Sequence, residues 1–195
     1  MLKQAWLNEK FSPLVLMFEE ETVSRIREAI AEAEDGIADA QEEEGYGGAL
    51  TFLVHIQELE VERIKYMLRS YFRVRLRKLE KYGMFILQNP TVLMRLSLAE
   101  KAYVERYVDL CEHHHKASFL DGIPDKLRDL TTQDADTDMV PKPRLDTHVF
   151  CKVVEDIGTF QLDPESSVEL EKGALYVLPY NPIKTLLAEQ SIVLI

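Results

Sequence analysis

The run His113-His114-His115 contains the residue type that most often binds metal ions in proteins. Consecutive residues of a helix point about 100° apart, so three adjacent imidazoles do not converge on one ion, unlike an i, i+4 pair. We therefore interpret this run as a solvated helix end. His55 and His148 lie in apolar stretches without a partner pattern, and we expect them to be structural.

The glycine cluster Gly45-Tyr46-Gly47-Gly48 precedes a helical pattern, as phosphate-binding loops do. No Lys-Ser or Lys-Thr follows it and no strand pattern precedes it, so it is not a phosphate loop. Cys111 and Cys151 lack CxxC spacing, which predicts two free thiols in a reducing compartment. An enzyme needs an activated nucleophile, a metal or a cofactor cradle. The sequence therefore predicts a protein that is not an enzyme and holds neither metal nor cofactor.

Composition narrows the possible classes of protein. The chain has 195 residues, of which 46% are hydrophobic, and its net charge is -11. Binding to duplex DNA depends largely on neutralising phosphates, so this charge argues against a free-standing DNA-binding protein. No apolar run approaches the roughly 20 residues that span a bilayer. We expect no membrane partner.

The longest helical pattern runs from Ile56 to Lys81 without Gly or Pro. An ordinary surface helix needs an apolar stripe only about 100° wide, but here the apolar side chains spread over more than half of the circumference. They are Ile56, Leu59, Ile64, Tyr66, Met67, Leu68, Tyr71, Phe72, Val74 and Leu79. Glu60, Arg63, Arg77 and Lys78 lie within the same sector, so they must be paired or face a partner. A long core helix and a helix that crosses a subunit boundary both fit this pattern.

Two further helices are indicated by their end signals. Ser12-Pro13 is typical of an N-cap followed by proline at the first helical position, and predicts a helix to about Asp39. Ser97 and Glu100 form a capping-box pattern that opens a helix to about Phe119.

The second part of the chain changes in character. Residues 131–143 are polar, acidic and then proline-rich, which predicts a linker between a helical domain (1–130) and a β-rich domain (144–195). The predicted fold class is therefore α+β, an N-terminal helical bundle followed by a small β-rich domain. We expect residues 148–155 to pair with 158–162. We expect 167–171 to pair with 174–178 across the turn at Lys172-Gly173.

Three functions remain open from the residues alone. A structural subunit of a larger assembly fits the overly apolar helix and the lack of catalytic groups. A nucleic-acid-binding module would use the basic helix Arg69–Lys81, through Arg69, Arg73, Arg75, Arg77 and Lys78. A small enzyme has no support. The basic residues are spread over several faces of the helix, so the first function is favoured.

The sequence also resembles a known family in register along most of its length. The central helix resembles that of the Sld-five type of GINS subunit at Glu62-Arg63-Ile64, Tyr66, Ser70-Tyr71, Arg73, Arg75-Leu76 and Glu80-Lys81. Flanking matches are Gln4-Ala5-Trp6, Asn8-Glu9-Lys10-Phe11, Val140-Pro141-Lys142-Pro143, Leu145-Asp146, Val149-Phe150, Leu170-Glu171-Lys172-Gly173 and Val193-Leu194-Ile195.

The resemblance implies a function as well as a fold. GINS is a heterotetramer of four related subunits, each with a helical and a β-rich domain. It joins Cdc-forty-five and the minichromosome maintenance ring in the CMG helicase, where ATP hydrolysis belongs to the ring. The resemblance thus implies a nuclear, non-catalytic scaffold that binds three sister subunits, with DNA reached only through the assembly.

Candidate interface residues follow from the helix and from the C-terminal segment. Because the apolar side chains leave little of the helix surface free, we expect its cations and one aromatic residue to face a partner. These residues are Tyr66, Arg69, Arg73, Arg77 and Lys78. At the terminus, the apolar segment predicts a strand whose Ile192, Leu194 and Ile195 contact a partner.

Overall fold

A computed structural model describes residues 1–42, 48–125, 128–131, 133–134, 137–164 and 166–195. Helices occupy the N-terminal part of the chain and small antiparallel sheets the C-terminal part. The predicted α+β fold class is confirmed.

The helical part is organised around one helix of 40 residues. The helices are α1 (Leu2–Phe11), α2 (Glu20–Glu42), α3 (Ala49–Gln88), α4 (Pro90–Leu93) and α5 (Leu98–Ser118), followed by a 3-10 turn at Leu120–Gly122. Helix α3 bends at Tyr82, whose φ is -116° and ψ is 20°. A Cβ at Gly83 would lie 2.8 Å from a methyl group of Val108, so glycine lets α3 approach α5 closely. The capping box of Ser97 and Glu100 is confirmed at the start of α5.

The predicted helix start at Ser12-Pro13 is wrong, because Ser12 ends α1. Its backbone is extended, with φ -69° and ψ 131°, and its N–H donates to Asn8 O at 3.0 Å. Proline disfavours the helical conformation in the residue before it, so Pro13 stops α1. The chain then runs without helix to Glu20, where α2 begins.

The described residues of the C-terminal part, from 148 onward, form five strands and one helix. These are β3 (His148–Val153), β4 (Gly158–Asp163), β5 (Ser166–Leu170), β6 (Leu175–Pro179), α6 (Tyr180–Ala188) and β7 (Ile192–Leu194). A short two-stranded ribbon precedes them, formed by β1 (Gln133–Asp134) and β2 (Thr137–Asp138).

Both predicted strand pairings are wrong. Strand β3 pairs with β6 and β7 in a sheet of order β6-β3-β7, whereas β4 pairs with β5. Phe150 lies opposite Val177, for example, rather than opposite a residue of β4. The short connection after β3 favoured a local hairpin. Burial instead selected the non-local arrangement, because the inward side chains of β3 alternate as Val149, Cys151 and Val153.

The helical and β-rich parts share one continuous apolar core. Leu79, Ile86 and Val104 from the helices belong to the same buried cluster as Val149 and Ile183 from the β-rich part. A second cluster joins α1, α2 and α3 around Tyr71. Because the helical and β-rich parts share this core, the linker predicted at residues 131–143 does not leave them independent of each other. The domain boundaries at residues 130 and 143 stay a prediction.

Candidate partner interface

A buried ionic network fixes the position of α3 relative to α1 and α5. The side chain of Arg75 is 0% exposed. Its Nη1 lies 2.9 Å from Glu9 Oε2 on α1. Its Nε and Nη2 donate to the two carboxylate oxygens of Glu100 on α5 at 2.7 and 2.9 Å. This bidentate contact between Arg75 and Glu100 sets both the distance and the angle between α3 and α5.

Lys78 completes the network one turn along α3. Its Nζ donates to Glu9 Oε1 at 2.6 Å and to the carbonyl of Leu14 at 3.1 Å. Burial lowers the pKa of Lys78, and the Glu9 carboxylate offsets only part of this effect. Burial also opposes the charge of Arg75, but hydrogen bonding to Glu100 and the charge of Glu9 outweigh it and raise the Arg75 pKa. Both cations of the network therefore have carboxylate partners within this chain.

These contacts correct two expectations. Lys78 was expected at a partner interface and Arg75 in a nucleic-acid-binding surface, but both are bound to carboxylates inside the chain. Turning either cation outward to reach a phosphate would break its hydrogen bonds to a buried carboxylate. Arg75 has no exposed surface and the Lys78 side chain is only 11% exposed, so the charged groups of both are engaged within the chain.

An apolar strip remains exposed on α3, on the side away from the network. Phe52, Leu59 and Tyr66 are 66%, 72% and 60% exposed, and Ile56 is also exposed. Residues 52, 59, 66 and 73 are seven apart, the repeat that keeps one seam of a helix against a partner helix. The N-terminal half of this strip is apolar and its C-terminal half is basic.

Helix α1 supports the middle of the strip. The indole Nε1 of Trp6 donates to Ser70 Oγ at 2.9 Å, and the Trp6 ring meets Tyr66 edge to face with centroids 6.5 Å apart. The Tyr66 ring is therefore held in place while its outer side stays exposed.

The basic residues of α3 differ in their contacts. Arg69 lies one helical turn before Arg73, and its Nη1 is 3.8 Å from Glu62 Oε2. Arg73 and Arg77 are exposed, and within the described residues the structure records no hydrogen bond or ion pair for either. Arg63, in the apolar sector, pairs with Glu60. Arg73 and Arg77 are thus the cations of the strip that are free to pair with another chain.

The terminal strand is mostly internal. Ile192 and Leu194 are fully buried in the shared core, while Ile195 is partly exposed. The expectation that Ile192 and Leu194 contact a partner is therefore corrected, because alternate residues of a strand point to opposite faces and these two point inward. Ile195 stays a candidate.

Helix α1 also holds the outer edge of this strand. The side-chain amide of Gln4 donates to the carbonyl of Leu194 at 3.0 Å, and the N–H of Leu194 donates to Asn8 Oδ1 at 2.9 Å. The same helix thus orders the strip on α3 and fastens the β-rich part.

Two exposed apolar surfaces were missed by sequence analysis. One includes Leu98 and Leu110 on α5 and Phe119 directly after it, all of which are exposed. The other is the outer face of the β6-β3-β7 sheet, with Phe150 and Val177. The signal for both was apolar residues out of phase with the buried ones of the same element, such as Val108 beside Leu110.

A metal-binding cluster is not found in the described part of the chain. No three or more His, Cys, Asp or Glu side chains among these residues converge as metal ligands would. No helix among them is long and apolar enough to cross a membrane.

Comparison with known proteins identifies the family. Residues 19–119 match the family described as "GINS complex protein helical bundle domain", and residues 143–195 match "DNA replication complex GINS protein SLD5 C-terminus". The chain is 34% identical over 179 residues to the Schizosaccharomyces pombe "DNA replication complex GINS protein sld5", covering 91% of this chain and 82% of that protein. The chain belongs to the SLD5 family of GINS proteins.

Other members of the SLD5 family match over a similar extent. The Dictyostelium discoideum protein is 34% identical over 190 residues, which cover 95% of this chain and 85% of that protein. The Homo sapiens protein is 31% identical over 205 aligned positions, covering 100% of this chain and 87% of that protein. The resemblance drawn from the central helix and its flanking motifs is confirmed. Helix α1 lies outside both matched family segments, although the alignment to the human protein includes it.

Proposed function

We propose that this protein is a non-catalytic structural subunit of the GINS complex and acts in DNA replication. Membership of the SLD5 family over almost the whole chain carries the assignment to GINS. The exposed apolar residues of the strip on α3 support the assignment to a structural role, because large exposed apolar patches mark interaction sites.

The proposed mechanism is geometric. The strip on α3 packs against a helix of a sister subunit, with Phe52, Leu59 and Tyr66 filling spaces between the partner's side chains. Full burial of one such side chain contributes about 1.5–3 kcal/mol. Arg73 and Arg77 face carboxylates of the partner, which selects one partner and one register. The buried network around Arg75 keeps α3 in the position that this contact needs.

Membership of the family supports a proposal for the wider assembly. We propose the three sister GINS subunits as direct partners, and Cdc-forty-five and the minichromosome maintenance ring as partners within the CMG helicase. DNA is then reached only through the assembly, and the protein acts in the nucleus. ATP hydrolysis takes place in the ring, in keeping with the non-enzymatic character expected of this chain.

Co-expression with the three sister subunits tests the proposal. The four chains are expected to elute as one complex of equal stoichiometry in size-exclusion chromatography. Leu59→Glu places a charge in the centre of the strip and is expected to remove this chain from the complex. Gln57→Glu makes the same change in charge on the opposite face of α3 and is expected to leave the complex intact. Equal assembly of both variants contradicts the role of the strip, and failure of the natural chain to assemble contradicts the function.

A further inference from the structure

The central sheet has two edges, and among the described residues hydrogen-bonding side chains cover only one of them. At the β7 edge, Gln4 and Asn8 bind the outward N–H and C=O groups of Leu194. The unpaired backbone groups of an edge strand can pair with a strand of another chain, and proteins usually prevent such pairing. At β7 the side-chain amides of Gln4 and Asn8 prevent it by occupying these groups.

The register shows which backbone groups point outward at the other edge, β6. Tyr180 N–H donates to Thr147 O at 3.0 Å, and Val153 N–H donates to Ala174 O at 3.1 Å. In an antiparallel pair, hydrogen-bonded and non-hydrogen-bonded positions alternate. Leu175 and Val177 therefore direct their N–H and C=O groups away from β3.

The side chains of β6 include no charged residue that would prevent another strand from pairing with this edge. Leu175 and Val177 are 63% and 51% exposed, and the strand LYVLP contains no charged residue. Natural edge strands are commonly blunted by Lys, by a bulge or by proline. Here Pro179 limits the edge at one end, and Leu175 and Val177 remain open.

The outer face beside this edge is apolar with a basic residue in it. Phe150 lies opposite Val177, and Lys152 lies opposite Leu175. Phe150 is 62% exposed. A strand added next to β6 would continue this face, and its own side chains would lie against Leu175 and Val177.

We propose that a sister GINS subunit adds an extended segment to the open edge of β6, so that the sheet becomes four-stranded in the complex. The added segment has apolar residues at alternate positions, which cover Leu175 and Val177. It carries an acidic side chain on the outer face within reach of Lys152. This inference rests on the proposed function, because it assigns a second contact to the same assembly.

The contrast between the two edges favours a strand over a helix as the occupant. A helix laid on the outer face would bury Phe150 but would leave the backbone groups of Leu175 and Val177 without partners. An added strand covers the side chains and binds the backbone groups at once, as in recognition by strand addition. Strand addition requires backbone N–H and C=O groups that point outward without a partner. Leu175 and Val177 of β6 provide such groups, whereas those of Leu194 on β7 are bound by Gln4 and Asn8.

Amide hydrogen exchange on the full chain, alone and in the four-subunit complex, tests the proposal. The amides of Leu175 and Val177 are expected to exchange at least tenfold more slowly in the complex. The amide of Tyr176 points to β3 and is expected to be protected in both states, which shows that the sheet is folded. Unchanged exchange at Leu175 and Val177 in an intact complex overturns strand addition while leaving the proposed function in place.

Two variants of one residue provide the matched comparison. Val177→Pro removes the outward N–H but no hydrogen bond to β3, and is expected to lower the retention of this chain in the complex at least tenfold. Val177→Thr keeps the N–H and a β-branched shape, and is expected to assemble normally. Leu175→Lys supplies the usual protection of an edge and is expected to behave like Val177→Pro.

The alternative outcomes are distinct. Equal assembly of Val177→Pro and Val177→Thr, both with a protected Tyr176 amide, overturns the proposal. Protection of Leu175 and Val177 that appears in the isolated chain and grows with concentration assigns the edge to a second copy and also overturns it. A natural chain that does not join the sister subunits at all contradicts the proposed function itself.

Discussion

The side-chain oxygen of Asn8 accepts a hydrogen bond from the backbone N–H of Leu194 at 2.9 Å, across 186 positions of the sequence. Gln4, one helical turn earlier, binds the carbonyl of the same residue. Residues four apart on a helix lie on one face, so α1 presents a donor and an acceptor in the way a neighbouring strand does. The first helix and the last strand of the chain are joined by this contact.

Replacing Asn8 with leucine is expected to weaken this junction. The buried N–H of Leu194 loses its partner, which costs about 1–3 kcal/mol. The effect is measured as a lower free energy of unfolding in urea. Lys3→Ala, on the exposed side of α1, is the control and is expected to change stability by less than about 0.5 kcal/mol. Equal stability of Asn8→Leu and the natural chain would show that the contact contributes nothing.

Replacing Arg75 with methionine is expected to be strongly destabilising. The carboxylates of Glu9 and Glu100 remain buried without their guanidinium, at a cost of about 3–5 kcal/mol. Arg75→Lys keeps a charge but cannot bind both oxygens of Glu100, so an intermediate loss is expected. Arg73→Met on the same helix is the exposed control. Thermal unfolding of the three variants measures the order, and a mild effect of Arg75→Met contradicts the role of the network.

Stability is expected to fall in alkaline solution through Tyr71. Burial raises the pKa of Tyr71 from 10.0 to about 12, although the nearby Arg75 cation opposes this rise. Its contribution to stability is complete below pH 10. It is lost as pH rises through 12, because the unfolded chain releases the proton first. Denaturant unfolding between pH 9 and 12 measures the decline. Tyr71→Phe should show a shallower decline, and identical pH dependence of the two proteins would refute the assignment.

Reversing the free cations of the α3 strip is expected to weaken assembly. Arg73→Glu together with Arg77→Glu places like charges against the acidic residues proposed on the sister helix. The double variant should leave the complex during co-purification and be more sensitive to salt, whereas Arg25→Glu on α2 should not. Neither the natural chain nor the double variant is expected to bind duplex DNA in a salt titration. Full assembly of the double variant would mean that both cations are merely solvated.

The division of the chain at residues 131–143 predicts a site of limited proteolysis. A protease of broad specificity is expected to cut first in this segment, because exposed polar linkers cross few contacts. The two fragments should remain together in size-exclusion chromatography, since the apolar core and the Asn8–Leu194 contact span both parts. First cleavage within residues 148–194 would place the boundary elsewhere.

Local and periodic features of the chain were decided by sequence alone. The absence of Gly and Pro from residues 56–81 predicted the central part of α3, and Ser97 with Glu100 predicted the start of α5. The change from helical to strand period predicted the α+β class. Spaced motifs of the central helix identified the family. All of these depend on residues close together in the chain, whose conformational preferences act without distant partners.

Only the tertiary structure decided which distant residues meet. Arg75 and Arg77 look alike in sequence, yet Arg75 is buried between Glu9 and Glu100 while Arg77 faces solvent. Strand β3 pairs with β6 and β7 and not with β4, which follows it directly in the sequence. Both outcomes depend on the free energy of burying charges and apolar surface against partners far along the chain. That free energy is set by packing of the whole fold, and no local pattern of residue types contains it.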